Sequence, residues 1–112
     1  MSNGRISEEA VDAAFHWLLS SSEEIAAARG NKVRKEYLAK RVFARMFKHA
    51  DGNIEMKKAI AMDSEEYAAA MEDVAIAEET WERASDQRNR AQIIIEVWRT
   101  SEASQRSIQR LR

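Results

Sequence analysis

The chain contains no proline, and its three glycines stand at positions 4, 30 and 52. Proline and glycine are the residues that most often end or bend a helix, so a chain nearly free of them can form long, uninterrupted helices. The remaining sequence is rich in Ala, Glu, Arg and Lys, which favour helix. Alternating apolar and polar runs, which are typical of strands, are missing. The sequence therefore predicts an all-α protein.

Helix-capping residues divide the chain into four predicted helices. The first begins after Ser7, whose hydroxyl can accept a hydrogen bond from the first turn. The second runs from Ser22 to about His49, with Gly30 as a candidate kink or break. Residues 53–62 predict a short connector helix. The last helix begins at a cap on Asp63 and meets no breaker before the end of the chain, where we expect fraying from about residue 101 onward.

The last helix carries a heptad repeat, which is the signature of helices that pack along a seam. One core position recurs every seven residues from Tyr67, and the other from Ala70. Together they form a predicted packing seam of ten residues: Tyr67, Ala70, Val74, Ala77, Trp81, Ala84, Arg88, Ala91, Ile95 and Trp98. Alanines along one line of this seam permit a partner helix to approach closely.

The simplest architecture for these elements is a long antiparallel helical hairpin, similar to a coiled coil, with a short N-terminal helix and a short connector helix. We expect residues 1–112 to form a single domain. Arg88 lies inside the apolar seam, where it either meets an acid across an interface or extends its charge out to water. Because a long helix with so thin a core often pairs with a second copy, we expect a homodimer.

Charge is strongly segregated, although the whole chain carries a formal net charge of only −1. Residues 1–30 carry −3, residues 31–50 carry +6, residues 51–86 carry −8, and residues 87–112 carry +4. Such alternation is typical of helices that pair with one another, or of a surface with separate basic and acidic regions.

The second helix is predicted to be amphipathic with a positive polar side. At about 100° per residue, five apolar residues are predicted to share the core face: Ile25, Val33, Tyr37, Phe43 and Phe47. The opposite face gathers Arg34, Arg41, Arg45 and Lys48. Three interpretations remain open at this point. These cations pair with glutamates of the last helix, or they bind nucleic acid, or they bind an acidic protein.

The sequence offers no catalytic constellation and no metal or cofactor site. Cysteine is absent, and His16 and His49 stand alone among residues that suggest structural roles. The run after Asp51 lacks the spacing of a calcium loop. No apolar stretch is long enough to span a bilayer, and the N-terminus lacks the apolar centre of a signal peptide. We therefore expect a non-enzymatic protein of the cytoplasm, without cofactor, metal or membrane contact.

Three stretches together resemble a group of small phage and prophage proteins: "ISEEAVDAAFHWLLSSSEEIAAAR", "SEEYAAAMEDV" and "IIIEVWRTSEASQR". The matching residues are Ser64, Glu66, Tyr67, Ile95, Glu96, Trp98, Arg99, Ala103 and Arg106. The ending departs slightly, with Val97 inside the motif and "SIQRLR" added after it. The resemblance implies a phage gene product, often encoded near single-strand annealing recombination genes, in the cytoplasm of a bacterial host. It implies no particular chemistry.

Charge and resemblance together predict an accessory protein in DNA metabolism or recombination. It would bind DNA without sequence preference, or bind a recombination protein, through the basic helix face, with Arg99 and Arg106 as further contacts. Two alternatives belong to other classes. One is a protein-binding modulator or inhibitor of a host or phage protein, including host defence enzymes, and the other is a structural coiled-coil subunit.

Overall fold

A computed structural model describes residues 6–111 and contains four α-helices in that range. Helix α1 is Glu8–Ser20, α2 is Ser22–His49, α3 is Ile54–Met62 and α4 is Glu65–Arg110. No strand occurs among these residues. The predicted all-α helical hairpin, with a short first helix and a short connector, is confirmed.

The chain divides into two compact units, and the helices α2 and α4 contribute to both. The hairpin unit comprises residues Ile25–Arg83. The terminal unit comprises the residues up to Glu24 together with those from Ala84 onward.

Aromatic side chains join the helices of the hairpin unit, in which α2 and the first part of α4 run antiparallel. The rings of Phe43 in α2 and Tyr67 in α4 meet edge to face, with centroids 5.4 Å apart. Phe43 also stacks on Phe47 at 6.5 Å, and the Lys57 ammonium of α3 lies 5.7 Å from the Phe47 centroid. These contacts tie the end of α2 to both helices that follow it.

A short loop between α2 and α3 positions α3. Gly52 follows α2 with a φ of 111°, a conformation that residues with a Cβ rarely adopt. The Asn53 side chain then caps α3 by accepting a hydrogen bond from the Met56 amide at 2.8 Å.

The start of α4 differs from the sequence prediction, because Ser64 and not Asp63 caps it. The Ser64 hydroxyl accepts a hydrogen bond from the Tyr67 amide at 3.2 Å and donates one to the Ala61 carbonyl at 2.7 Å. Asp63 instead occupies the C-cap of α3. A single hydroxyl thus serves both the end of α3 and the beginning of α4.

Helix α2 continues through Gly30, so the break suggested by this glycine is not observed. A Cβ built on Gly30 would meet nothing within 4 Å. The glycine is therefore not needed for a close contact between α2 and another element, and its effect is to lower the helix propensity at this position.

In the terminal unit, α1 packs against the second part of α4. The Ser7 side chain caps α1, as predicted, by accepting from the Ala10 amide at 3.1 Å. Ala14 of α1 forms a buried cluster with Ala91 and Ile95 of α4. Around this cluster pack the half-buried residues Trp17, Leu18 and Ile94. Phe15 of the same helix, in contrast, is 39% exposed.

Every residue of the predicted packing seam is buried or half-buried in α4. The other residues between Tyr67 and Trp98 are exposed, except Ser85 and Ile94, which are half-buried. Arg88 lies half-buried, and no carboxylate of the described residues lies within ion-pair distance of it. The helix extends to Arg110, so fraying of its last turns stays a prediction.

Candidate nucleic-acid interface

The four cations predicted to share a face of α2 do lie on one exposed side of that helix. Arg34, Arg41, Arg45 and Lys48 are all exposed and fall within an arc of about 60° around the helix axis. The buried residues Ile25, Ala28 and Ala39 lie on the opposite side. We call the four cations the basic face.

The apolar residues of α2 are arranged differently from the sequence prediction. Val33 and Tyr37 were expected in the core, but they are 58% and 61% exposed. The reason is that alanines at positions 28 and 39 form the buried side of α2, and at about 100° per residue Tyr37 turns away from them. Phe43 and Phe47 are half-buried, as their ring contacts require.

The basic face makes no ion pair with the described residues 6–111. That part of the chain contains two ion pairs, each within a single helix turn: Lys32 with Glu36 at 3.7 Å, and Arg99 with Glu96 at 3.3 Å. The ion pairs between cations of α2 and glutamates of α4 that one interpretation expects do not occur among the described residues. Such pairs do not form because the basic face lies opposite the buried side of α2, and it is the buried side that packs in the hairpin.

The basic face borders a depression in the protein surface. It is lined by Leu38, Arg41, Val42, Ala44, Arg45, Lys48 and His49. Its walls combine aliphatic groups with three cations of the basic face. Such a surface can take up a polyanion whose sugars and bases contact the apolar part while its phosphates meet the cations.

Arg99 and Arg106 belong to the terminal unit and are engaged within their own helix. Arg99 Nη1 donates to a carboxylate oxygen of Glu96 at 3.3 Å. Arg106 Nε donates to the Glu102 carbonyl at 3.4 Å. Both side chains are exposed, but Arg99 would first have to exchange its glutamate before it could bind a phosphate.

Helix α4 exposes an acidic line within the hairpin unit. Glu65, Glu72 and Glu79 recur every seven residues and lie on the side of α4 away from the seam. None of them has an ion-pair partner among the described residues. The hairpin unit therefore has an exposed basic face on one helix and an exposed acidic line on the other.

The described residues hold no group of three or more side chains that could bind a metal ion. No helix within residues 6–111 is both long enough and apolar enough to cross a bilayer.

Comparisons with known proteins give no match for this chain. No family model matches it, and neither a curated protein nor a solved structure is similar to it. The resemblance to small phage proteins therefore stays a prediction.

Proposed function

We propose that this chain is a non-enzymatic accessory protein of phage DNA metabolism or recombination, which binds DNA without sequence preference through the basic face. The observation that carries the proposal is the absence of ion-pair partners for Arg34, Arg41, Arg45 and Lys48 among the described residues. Four exposed cations on one side of a helix repel one another, and a polyanion relieves that repulsion.

Counterion release gives the proposal a magnitude. Each phosphate that a cation neutralises on duplex DNA lowers the slope of log K against log salt by about 0.9. Four contacts predict a slope of about −3.6, so affinity should fall about 150-fold between roughly 50 and 200 mM salt.

The experiment that tests the proposal is a salt titration of DNA binding, followed by fluorescence polarisation. The variant Arg41→Gln/Arg45→Gln should bind about 50-fold more weakly at roughly 0.1 M salt and should reduce the slope by about 1.8. The matched control is Lys58→Gln/Arg83→Gln, which removes two exposed cations of the hairpin unit outside the basic face. Equal losses in the two variants would point to net charge and would contradict the proposal.

We further propose that the protein forms a homodimer in the bacterial cytoplasm. Six of the ten buried hydrophobic residues in the described chain are alanine, and none of the larger side chains is fully buried. Alanine contributes little burial energy, so a second copy would add apolar contact that one chain lacks. Sedimentation equilibrium tests this, and a monomer at concentrations of about 100 μM would contradict it.

The acidic line on α4 favours a second candidate function, which is binding to a basic protein. Glu65, Glu72 and Glu79 are exposed and unpaired in the described chain, so they could take the place of phosphates toward such a partner. A host protein retained from lysate after nuclease treatment, and lost with Glu72→Gln/Glu79→Gln, would favour this candidate. Retention that depends on Arg41 and Arg45 and disappears with nuclease favours DNA.

A further inference from the structure

Tyr37 stands on the outer side of α2 together with the basic face. Its side chain is 61% exposed. Arg34 lies three residues before it and Arg41 four residues after it, which is about one helical turn in each direction. The guanidinium carbon of Arg41 lies 6.0 Å from the centroid of the tyrosine ring. One aromatic ring thus lies between two cations on a surface open to solvent.

An aromatic ring in this position distinguishes two forms of DNA. In a duplex the bases stack on one another and present only their edges in the grooves, so an exposed ring has no base face to contact. In a single strand the bases are free, and stacking of one base on an aromatic side chain raises affinity about 5- to 150-fold. The cations, by contrast, contact phosphates in either form.

We propose that the ring of Tyr37 is a stacking platform for an unpaired base, and that the preferred ligand of the basic face is single-stranded DNA. This inference rests on the proposed DNA-binding function and adds the form of the ligand. Arg34 and Arg41 hold the phosphates on either side of the stacked base. The Arg41 guanidinium lies over the ring, 6.0 Å from its centroid, so the base stacks on the other ring face or takes the place of the guanidinium.

Salt gives this preference a characteristic signature. Duplex DNA gains more from counterion release, with about 0.9 per contact in the slope compared with about 0.7 for a single strand. At low salt this difference in counterion release offsets much of the affinity that a single strand gains from stacking. Because salt does not screen stacking, a stacking gain of about 20-fold gives a preference for the single strand that grows from about threefold near 0.1 M to about eightfold near 0.3 M salt.

The test compares fluorescein-labelled oligo(dT) of about 20 nucleotides with the same strand annealed to oligo(dA), at roughly 0.1 and 0.3 M salt. Tyr37→Leu removes the ring but keeps an apolar side chain at this exposed position. It should weaken single-strand binding about 20-fold and leave duplex binding within about twofold. Tyr37→Phe, which keeps the ring, should bind both forms as the natural sequence does.

The outcomes separate this inference from the proposed function. Binding of both DNA forms, with Tyr37→Leu changing them equally or not at all, would overturn the stacking platform and leave DNA binding intact. Loss of binding in Arg41→Gln/Arg45→Gln would support DNA binding in either case. No binding of either DNA form by the natural sequence would overturn both. Circular dichroism of each variant checks that the helix content of the chain is unchanged.

Discussion

Along α2, Arg34, Arg41 and Lys48 stand seven residues apart, and the same spacing separates Val74 and Trp81 in α4. In α4 the repeated line is buried or half-buried, whereas in α2 it is exposed and unpaired in the described chain. Both lines are straight stripes on a helix, so geometry does not distinguish them. Side-chain chemistry does, because apolar groups leave water readily and guanidinium groups do not. The seam should therefore govern stability, and the basic face should govern binding.

The largest effect on stability is expected at Ile95, which is 6% exposed in the seam. Ile95→Ala should lower the free energy of unfolding by about 3 kcal/mol, because it removes buried methyl groups and leaves a cavity. Ile93→Ala is the matched control, since the same side chain is 60% exposed two residues earlier. Urea denaturation compares the two, and similar losses would show that the seam has no special role.

A smaller effect is expected from adding volume to the seam. Ala77 is 3% exposed, so Ala77→Leu should cost about 2 kcal/mol by overpacking the close helix approach. Ala75→Leu introduces the same residue on an exposed position of α4 and should change stability by less than about 0.5 kcal/mol. Because alanine and leucine both favour helix, propensity contributes little to the difference. A stabilised Ala77→Leu would mean that the seam holds unfilled space.

On the exposed side of α2, a larger side chain should increase the stability of the protein. Gly30 is helical, exposed, and free of neighbours within 4 Å of a built Cβ. Gly30→Ala should raise the free energy of unfolding by about 0.5–1 kcal/mol, because alanine has the higher helix propensity. Gly52→Ala is the informative opposite, since its φ of 111° and the Met56 Cβ at 3.1 Å disfavour any Cβ. The midpoint temperature of thermal unfolding should rise for Gly30→Ala and fall for Gly52→Ala.

The smallest effect on stability is expected where the effect on binding is large. Arg41→Gln/Arg45→Gln should change the free energy of unfolding by at most about 0.5 kcal/mol, because neither cation has an ion-pair partner among the described residues and the contact of Arg41 with the Tyr37 ring is exposed to solvent. A clear stabilisation would indicate strong repulsion along the basic face. A clear destabilisation would mean that the cations hold the fold, and the separation between seam and basic face would be lost.

Most of the fold was predictable because local signals agree with one another. Ser7 as a cap, α2 from Ser22 to His49, and the heptad positions of α4 all follow from spacing and residue type. The position of Tyr37 was not predictable in this way. The apolar residues of α2 cover a broad arc, and the buried alanines at positions 28 and 39 decide which part of that arc faces the hairpin.

The residues of the candidate site were predictable from the sequence, but whether they are paired with acidic residues was not. The spacing of the cations in the sequence predicts the basic face. Whether glutamates neutralise it depends on distances between helices, and these cannot be obtained by counting charges. The signal that was available for Tyr37 is its position one turn from both Arg34 and Arg41, since a residue so close to a charged stripe tends to be exposed with it.

The division into two units places one tryptophan, Trp81, in the hairpin unit and two, Trp17 and Trp98, in the terminal unit. All three are half-buried, so their emission responds when the packing around them is lost. Replacing Trp81 by phenylalanine leaves a chain whose fluorescence follows the terminal unit alone, and replacing the other two leaves one that follows the hairpin unit. The protein thus carries separate optical reporters for its two units, without any attached dye.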